Sequence, residues 1–361
     1  MNADSAQPRV LAATNAVQGG IDPLRELRAA PGLGATDKAI VHILQQDGRA
    51  SMSDISRQVG LTTKAASRRV MELVSTGVID ITAVTNPEAL GYHAGALLGI
   101  VVTPGTGAAQ VAERLWEDDR LDYVSVVGGR FRLIAEILAR DNADLQEAIE
   151  RDISQVPGVS SVELFPYLSV YYQRFNFDRA DQASGSLAPP VVRSQERELD
   201  EMDIDIIAQL NYDGRRGFQS IADQLGVSES QVRRRVWRMV EAGTLRVMAM
   251  ANPTSLGYKS LAWLAIRVST DEQVRTVAGR LAEIPGVTYI VIASGTFDVF
   301  VDLVARDPDD LMRLLDEEVR AVSGVQYVET WLHLELHWRP PRPLAALRKT
   351  TKPIEWGATG D

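Results

Sequence analysis

Two short stretches hold the residues best placed to recognise a small charged molecule. "SGTFDVF" at 294–300 carries the carboxylate Asp298, and "GGRFRLI" at 128–134 carries the cation Arg132 at the equivalent place. A free amino acid needs both its ammonium and its carboxylate satisfied once it leaves water. Asp298 could meet the ammonium, or it could instead fix its own turn through local backbone hydrogen bonds. Arg132 would repel an ammonium. It could hold a carboxylate, or pair with Glu136 or another nearby acid. The first turn is therefore expected to be silent or altered in specificity, and silence is favoured. An internal salt bridge to the other half of the chain is the purely structural alternative.

A second candidate lies in "WLHLELHW", 331–338, where strict alternation puts His333, Glu335 and His337 on one strand face. Leu332, Leu334 and Leu336 are then expected to pack against helices. Two imidazoles flanking a carboxylate could bind a metal or sense protons. The equivalent residues in the earlier copy are Tyr167, Ser169 and Tyr171. The cluster is thus unshared, and polar packing at a sheet interface is the preferred reading. His42 and His93 have no second ligand at informative spacing and are read as structural. The chain has no cysteine, which removes disulfides, thiolate metal sites and thiol nucleophiles. No cofactor and no metal are expected.

The third candidate is a pair of basic helix faces. Ile40, Ile43 and Leu44 mark one apolar face and Ile55 and Val59 a second. "VGLT" at 59–62 then closes one helix on a left-handed Gly60 and opens the next with Thr62 as N-cap. With Ala66, Val70 and Leu73 inside, Thr63, Lys64, Ser67 and Arg68 face outward. The same pattern returns later around "LGVS" at 225–228, where Ser228 and Gln231 fit a capping box. There Val232, Val236 and Met239 are inside, leaving Glu229, Ser230, Arg233, Arg234 and Arg238 outside. Two short helices joined by a glycine-containing turn, the second one basic, describe a helix-turn-helix. Residues at the N-terminal end of such a helix reach base edges, and arginines further along pair with phosphates. The assigned DNA-contact set is Thr63, Lys64, Ser67, Arg68, Ser228, Ser230, Gln231, Arg233, Arg234 and Arg238. The first helix offers fewer cations than the second, so one chain is expected to read two unlike half-sites.

These sites are positioned by a duplication. A shift of 166 residues brings Asp37, Ile40, Leu44, Asp47, Gly48 and Arg49 onto Asp203, Ile206, Leu210, Asp213, Gly214 and Arg215. "NPEALGY" (86–92) falls on "NPTSLGY" (252–258), and no gap is needed from about 36 to 172. After each helical part the period changes. "GALLGIVV", "YVSVVGG", "FRLIAEILA" and "VSSVELFPYLSVYY" suit strands, with helices around Val111–Leu115 and Leu145–Ile149. The order β-α-β-β-α-β makes a ferredoxin-like sandwich. One face of its sheet is left bare, which calls for association through sheets within or between chains.

The expected class is α+β, with two winged or tri-helical helix-turn-helix domains and two ferredoxin-like β-α-β-β-α-β sandwiches. The divisions are a flexible segment 1–35, helix-turn-helix 36–84, sensor 85–172, linker 173–199, helix-turn-helix 200–250, sensor 251–338 and tail 339–361. At 361 residues the chain can bury several cores. Its longest apolar run, 94–102, is too short to span a bilayer. Without a signal pattern the chain is expected to be cytoplasmic, with no membrane partner. A net charge of -10 argues against an indiscriminate nucleic-acid coat but leaves room for local basic surfaces.

A helix-turn-helix, a connector with "NPxxLGY" and a β-α-β-β-α-β domain together resemble the Lrp/AsnC family of bacterial and archaeal transcription regulators. "SGTFDVFVDLVARD", 294–307, is similar to that family's Gly-x-(Tyr/Phe)-Asp turn. The resemblance spans about 36–172 and 200–338. It implies sequence-specific binding to double-stranded DNA, modulated by a small effector, often an amino acid, held between associated sensors. It assigns the effector site to Gly295, Thr296, Phe297 and Asp298, with Gly129, Phe131 and Arg132 as the weaker counterpart. Family members with one module per chain form dimers and larger oligomers. A tandem chain is expected to act as a covalent pseudo-dimer, and dimers to tetramers of it are expected. Two other functions compete. Lrp-like decarboxylases of sirohaem-type tetrapyrroles share the fold and include fused pairs. Arg130 and Arg132 could hold acid groups, but neither hairpin, 126–136 or 292–302, contains a histidine. A DNA-silent amino-acid-binding protein is the other alternative.

Overall fold

The computed structural model describes residues 33–173 and 199–344. Most of the assigned N-terminal segment, linker and tail lies outside the described residues. The first copy runs α1 (Ala35–Gln46), α2 (Met52–Val59), α3 (Thr63–Ser75), β1 (Ile79–Thr85), β2 (Ala94–Val102), α4 (Ala108–Trp116), β3 (Leu121–Gly128), β4 (Leu133–Ala139), α5 (Asn142–Glu147) and β5 (Val159–Gln173). The second repeats it as α6 (Glu201–Tyr212), α7 (Phe218–Leu225), α8 (Glu229–Glu241), β6 (Leu245–Ala251), β7 (Ser260–Val268), α9 (Val274–Ala282), β8 (Val287–Ala293), β9 (Val299–Ala305), α10 (Pro308–Arg313) and β10 (Val325–Trp338).

Each ferredoxin-like sheet packs its outer face on its own helices. In the first copy Leu98, Ile100, Val124 and Leu133 meet Val111 and Leu115 of α4. In the second Leu264, Ile266 and Val299 meet Val277 and Leu281 of α9. The bare inner faces turn toward each other. Strand β5 pairs antiparallel with β8, from Tyr167↔Ala293 to Gln173↔Tyr289. The pseudo-equivalent seam joins β10 to β3, from Leu332↔Gly128 to Trp338↔Tyr123. The two sheets thereby close into one barrel in the order β10-β3-β4-β2-β5-β8-β9-β7. Closure leaves none of these strands with an open edge. Its interior is aromatic, built from Phe131, Phe165, Trp263, Phe297, Phe300 and Trp331.

The last strand departs from the expected arrangement. Leu332 and Leu334 are exposed and do not pack against helices, while His333 and His337 are buried. The barrel, not the helical layer, takes the imidazole of His333. A register shift between His333 and Glu335 also breaks the strict alternation. The start of the tail is pinned by the other copy of the same chain. Arg339 donates from Nε to the Leu121 carbonyl (2.8 Å) and lies over the Trp116 ring, and Tyr92 donates to the Arg342 carbonyl (2.7 Å).

The helix-turn-helix units are joined as firmly. Strands β1 and β6 form a two-stranded antiparallel ribbon, Ile79↔Ala251 to Thr85↔Leu245. One apolar core runs through both units, from Ile40, Leu44 and Ile55 to Ile206, Leu210 and Ile221. The repeated Asp-Gly-Arg explains itself at this joint. Arg49 donates to the carbonyls of Gly214 (2.6 Å) and Arg216 (3.1 Å), and Arg215 donates to those of Gly48 (2.8 Å) and Ala50 (2.9 Å). Each glycine lies against the opposite copy's ribbon strand. A Cβ on Gly48 would meet the Met248 backbone at 2.8 Å, and one on Gly214 the Ile81 carbonyl at 2.8 Å. Gly48→Ala should therefore lower stability by about 1–3 kcal/mol through overpacking, read by urea unfolding. An unchanged midpoint would mean that the ribbon shifts freely.

Candidate nucleic-acid interface and effector site

The helix starts behave as their sequences require. Thr62 accepts from the Ala65 amide (3.2 Å), and Gly60 and Gly226 close the preceding helices at φ 70° and 69°. Ser228 and Gln231 complete a capping box on α8. Ser228 accepts from the Gln231 amide (3.3 Å), and Gln231 Oε1 accepts from the Ser228 amide (3.0 Å). These two residues thus serve the helix terminus first, and their assignment as base-reading groups is weakened accordingly.

The arginines of α8 divide. Arg235 and Arg238 both donate to Asp203, whose side chain is only 3% exposed, each at 2.8 Å. Asp203 is the counterpart of Asp37 in the repeat, and its charge is neutralised by this pair. Arg238 is therefore an ion-pair partner of Asp203, where a free outward cation was expected. Core positions on α8 alone do not reveal an acid reaching over from α6. Arg233 pairs with Glu229 one turn earlier and lies over the Phe218 ring. Arg234 and Ser230 are exposed, as are Thr63, Lys64 and Arg68 on α3, with Ser67 half-buried. Arg68 and Arg234 occupy equivalent places.

At the sensor turns the backbone is conserved in form between the copies while the side chains part company. Arg132 N donates to the Ile100 carbonyl (3.1 Å), and Asp298 N donates to that of Ile266 (2.9 Å). Asp298 goes further: its Oδ2 accepts from the Val268 amide at 2.8 Å. The carboxylate therefore ties the turn to β7, the local role foreseen as one of its two uses. Arg132 has no acceptor to offer at that place. Its side chain is exposed and has no ion-pair partner among the described residues. Phe131 and Phe297 are buried inside the barrel rather than presented to solvent. Gly129 (φ 147°) lies close under Trp331, and Gly295 (φ 134°) under Phe165, so each turn rests on the other copy's last strand.

One bridging residue was missed in the sequence. Glu163, on β5, pairs with Arg130 of the first turn and accepts from Thr296 of the second (3.0 Å). Gly295 and Thr296 are exposed beside it. The polar end of the barrel was missed as well. Glu136 accepts from the Tyr289 hydroxyl (2.9 Å), and at the equivalent place Asp302 accepts from Thr288 (2.6 Å). Asp302 also lies 3.5 Å from His333, whose ring bonds Ser125 (2.7 Å) and the Tyr123 hydroxyl (3.2 Å). The signal was present: Glu136 and Asp302 interrupt otherwise apolar strands at the same offset.

Comparison with known proteins agrees with this geometry. The AsnC-type helix-turn-helix domain matches residues 33–74 and 199–240, and the Lrp/AsnC ligand binding domain matches 95–177 and 261–342. An HTH-type transcriptional regulator of Pyrococcus abyssi is 35% identical over 141 residues, covering 39% of this chain and 89% of that protein. The chain belongs to the Lrp/AsnC family of transcriptional regulators. A second such regulator, from Pyrococcus furiosus, is 38% identical over 133 residues, 37% of this chain and 89% of its own length. These relatives match one copy's worth of the tandem chain. Among solved structures, the sirohaem decarboxylase NirDL superposes with a TM-score of 0.58 at 16% identity, covering 85% of this chain and 93% of that one. That likeness is one of fold.

Within this Lrp/AsnC barrel, burial dominates the ionisation of the polar end. Burial pushes the Glu136 carboxyl up to about 7, and the nearby Asp302 adds to it, against the opposing hydrogen bonds from Tyr289 and Tyr167. Asp122 is likewise raised by burial and by Glu136. A carboxyl raised in the folded state contributes stability that is full below its unfolded value and is lost as pH rises through the folded one. The Glu136 contribution is therefore complete below about 4.5 and gone above about 7. Glu136→Gln keeps an acceptor for Tyr289. It should flatten the decline of unfolding free energy between pH 4 and pH 8 by roughly 2–3 kcal/mol. Parallel pH profiles for the two proteins would remove this assignment.

Proposed function

We propose that the two helix-turn-helix units act as one DNA-reading head. In this reading the closed barrel reports a small carboxylate-bearing effector, an amino acid being the expected class, to that head. The observation that carries the reading is the joint itself. Helices α3 and α8 belong to one packed unit through the β1–β6 ribbon and the Arg49 and Arg215 exchange. Their exposed faces hold Thr63, Lys64, Ser67 and Arg68, and Ser230, Arg233 and Arg234. The arginines supply phosphate neutralisation or bidentate contact to guanine, and the short polar residues reach base edges. Each helix enters a major groove, the two grooves about one helical turn apart.

The effector contact is assigned to the surface shared by the two turns, at Arg132, Gly129, Gly295 and Thr296. Arg132 supplies a guanidinium for a carboxylate, and Glu163 a carboxylate for an ammonium. Asp298, with one oxygen on the Val268 amide, sets the turn's shape. Phe131 and Phe297 back the turns from inside the barrel. Binding there changes the relative stability of sheet arrangements, and through them the spacing of the reading helices. The chain works as a regulator without catalysing a reaction, and self-associates in solution beyond its internal pairing.

The test is fluorescence anisotropy of the purified chain on the DNA upstream of its own gene and on scrambled DNA, over a salt series. Tight binding that prefers the upstream fragment and weakens with salt is expected. Arg234→Ala should lower operator affinity about tenfold and reduce the salt slope by about one, with the thermal midpoint unchanged. Arg238→Ala should instead lower the midpoint, because it strips a partner from buried Asp203. An Arg234→Ala protein that binds its operator normally would remove that contact, and no preference for any fragment would remove the DNA-reading function.

A further inference from the structure

We propose that the DNA site of one chain has a direction: it consists of two chemically different half-sites in fixed order, not of an inverted repeat. The inference deepens the DNA-reading assignment above and rests on it. Two sets of observations carry it, one on pairing and one on the reading faces.

The two units pair inside the chain. The α3-bearing unit and the α8-bearing unit share one apolar core and one ribbon. Across the joint Thr82 donates to the Asn211 carbonyl (2.8 Å), Asn211 donates to that of Ala83 (2.7 Å), and Gly214 N donates to that of Ile81 (2.8 Å). The barrel seams β5–β8 and β10–β3 tie the same two halves together a second time. A reading head made of α3 with α3, or α8 with α8, would have to break both joints. Every head therefore carries one helix of each kind.

The two helices read differently at nearly every equivalent position. Thr63 stands opposite Glu229, Lys64 opposite Ser230, Ser67 opposite Arg233, and Met71 opposite Trp237; Arg68 agrees with Arg234, and Arg69 with Arg235, the latter two each paired with an acid of their unit's first helix. On α8 the Glu229 carboxylate is held by Arg233, which fixes an acid and a cation side by side at the start of the helix. A carboxylate accepts from the cytosine amino group and is repelled by phosphate, so it discriminates among bases without adding general affinity. On α3 the same places hold the hydroxyls of Thr63 and Ser67, with Lys64 beside them, which favour a thymine methyl and a guanine edge. The faces also differ in bulk. Met71 is 62% and Trp237 63% exposed, and both lie one turn beyond the shared arginine on its helix surface. A flat indole and a flexible thioether cannot fill the same groove wall alike.

The shared arginines give both half-sites a common element, and the remaining positions give each its own. A site so built can be read in one orientation only, which fixes the orientation of the bound chain relative to whatever lies beside it on the DNA.

The experiment selects bound duplexes from a random pool with the full chain at one chain per duplex, checked by native mass spectrometry. A motif without internal two-fold symmetry is expected. Three duplexes are then compared: the selected site and the two inverted repeats made by doubling either half. Both inverted repeats should bind at least tenfold more weakly than the selected site, since each mismatched base pair costs about 1–3 kcal/mol. A chain carrying Thr63→Glu, Lys64→Ser, Ser67→Arg and Met71→Trp should prefer the repeat of the α8 half. The wild-type comparison decides even if that variant does not fold. A symmetric motif within the footprint of one chain, or equal binding to either inverted repeat, overturns the directional site while leaving DNA reading intact. No motif at any salt overturns both.

Discussion

A four-stranded ferredoxin-like sheet packed on helices has two debts to settle: one face without a layer over it, and two outer strands with unmet backbone groups. Pairing of β5 with β8 and of β10 with β3 meets both at once. Everything else in the sensor half follows from that closure. The aromatic side chains have an interior to fill because the faces are opposed. The turns at Gly129 and Gly295 are pressed against Trp331 and Phe165 because the seams bring the last strands across. The buried carboxyl of Glu136 and the half-buried one of Asp302 find their hydroxyl partners at the same end.

The closure also explains why the halves could diverge. In an assembly of identical chains every substitution enters twice, once on each side of the two-fold. Here it enters once. Asp298 can hold the Val268 amide while its counterpart Arg132 holds nothing among the described residues, and the first turn keeps its backbone bond to Ile100 regardless. Likewise Arg339 anchors the end of the second copy to the first, where the equivalent residue of the first copy is Gln173. The symmetry is kept where main chain meets main chain and relaxed where side chains act alone.

Much of this was legible in the residues. The ungapped repeat gave two copies of one backbone. Gly60 and Gly226, Thr62 and Ser228 announced the helix boundaries, because each has a local physical job that neighbours cannot override. The bare sheet face announced a partner. What the sequence withheld was tertiary in origin. Arg238 sits on an outward arc of α8, and only the approach of α6 brings buried Asp203 to it. His333, Glu335 and His337 alternate on paper, but the shift in register and the barrel's inward side reassign them, leaving Leu332 and Leu334 in solvent. Glu163 was invisible as a bridge because its partners, Arg130 and Thr296, lie on turns from different copies. Periodicity sorts residues by face; it does not say which distant residue shares that face.

The covalent joint has a consequence for dose. Where two separate chains must meet before DNA can be gripped, the fraction of competent protein falls with dilution. When the partners are parts of one polypeptide, the meeting is intramolecular and its effective concentration is set by the connector, commonly in the millimolar range. The α3 and α8 units remain paired however few molecules a cell holds. Occupancy of the DNA by such a head then follows protein abundance linearly at low copy number, with no threshold from assembly of the reading head itself.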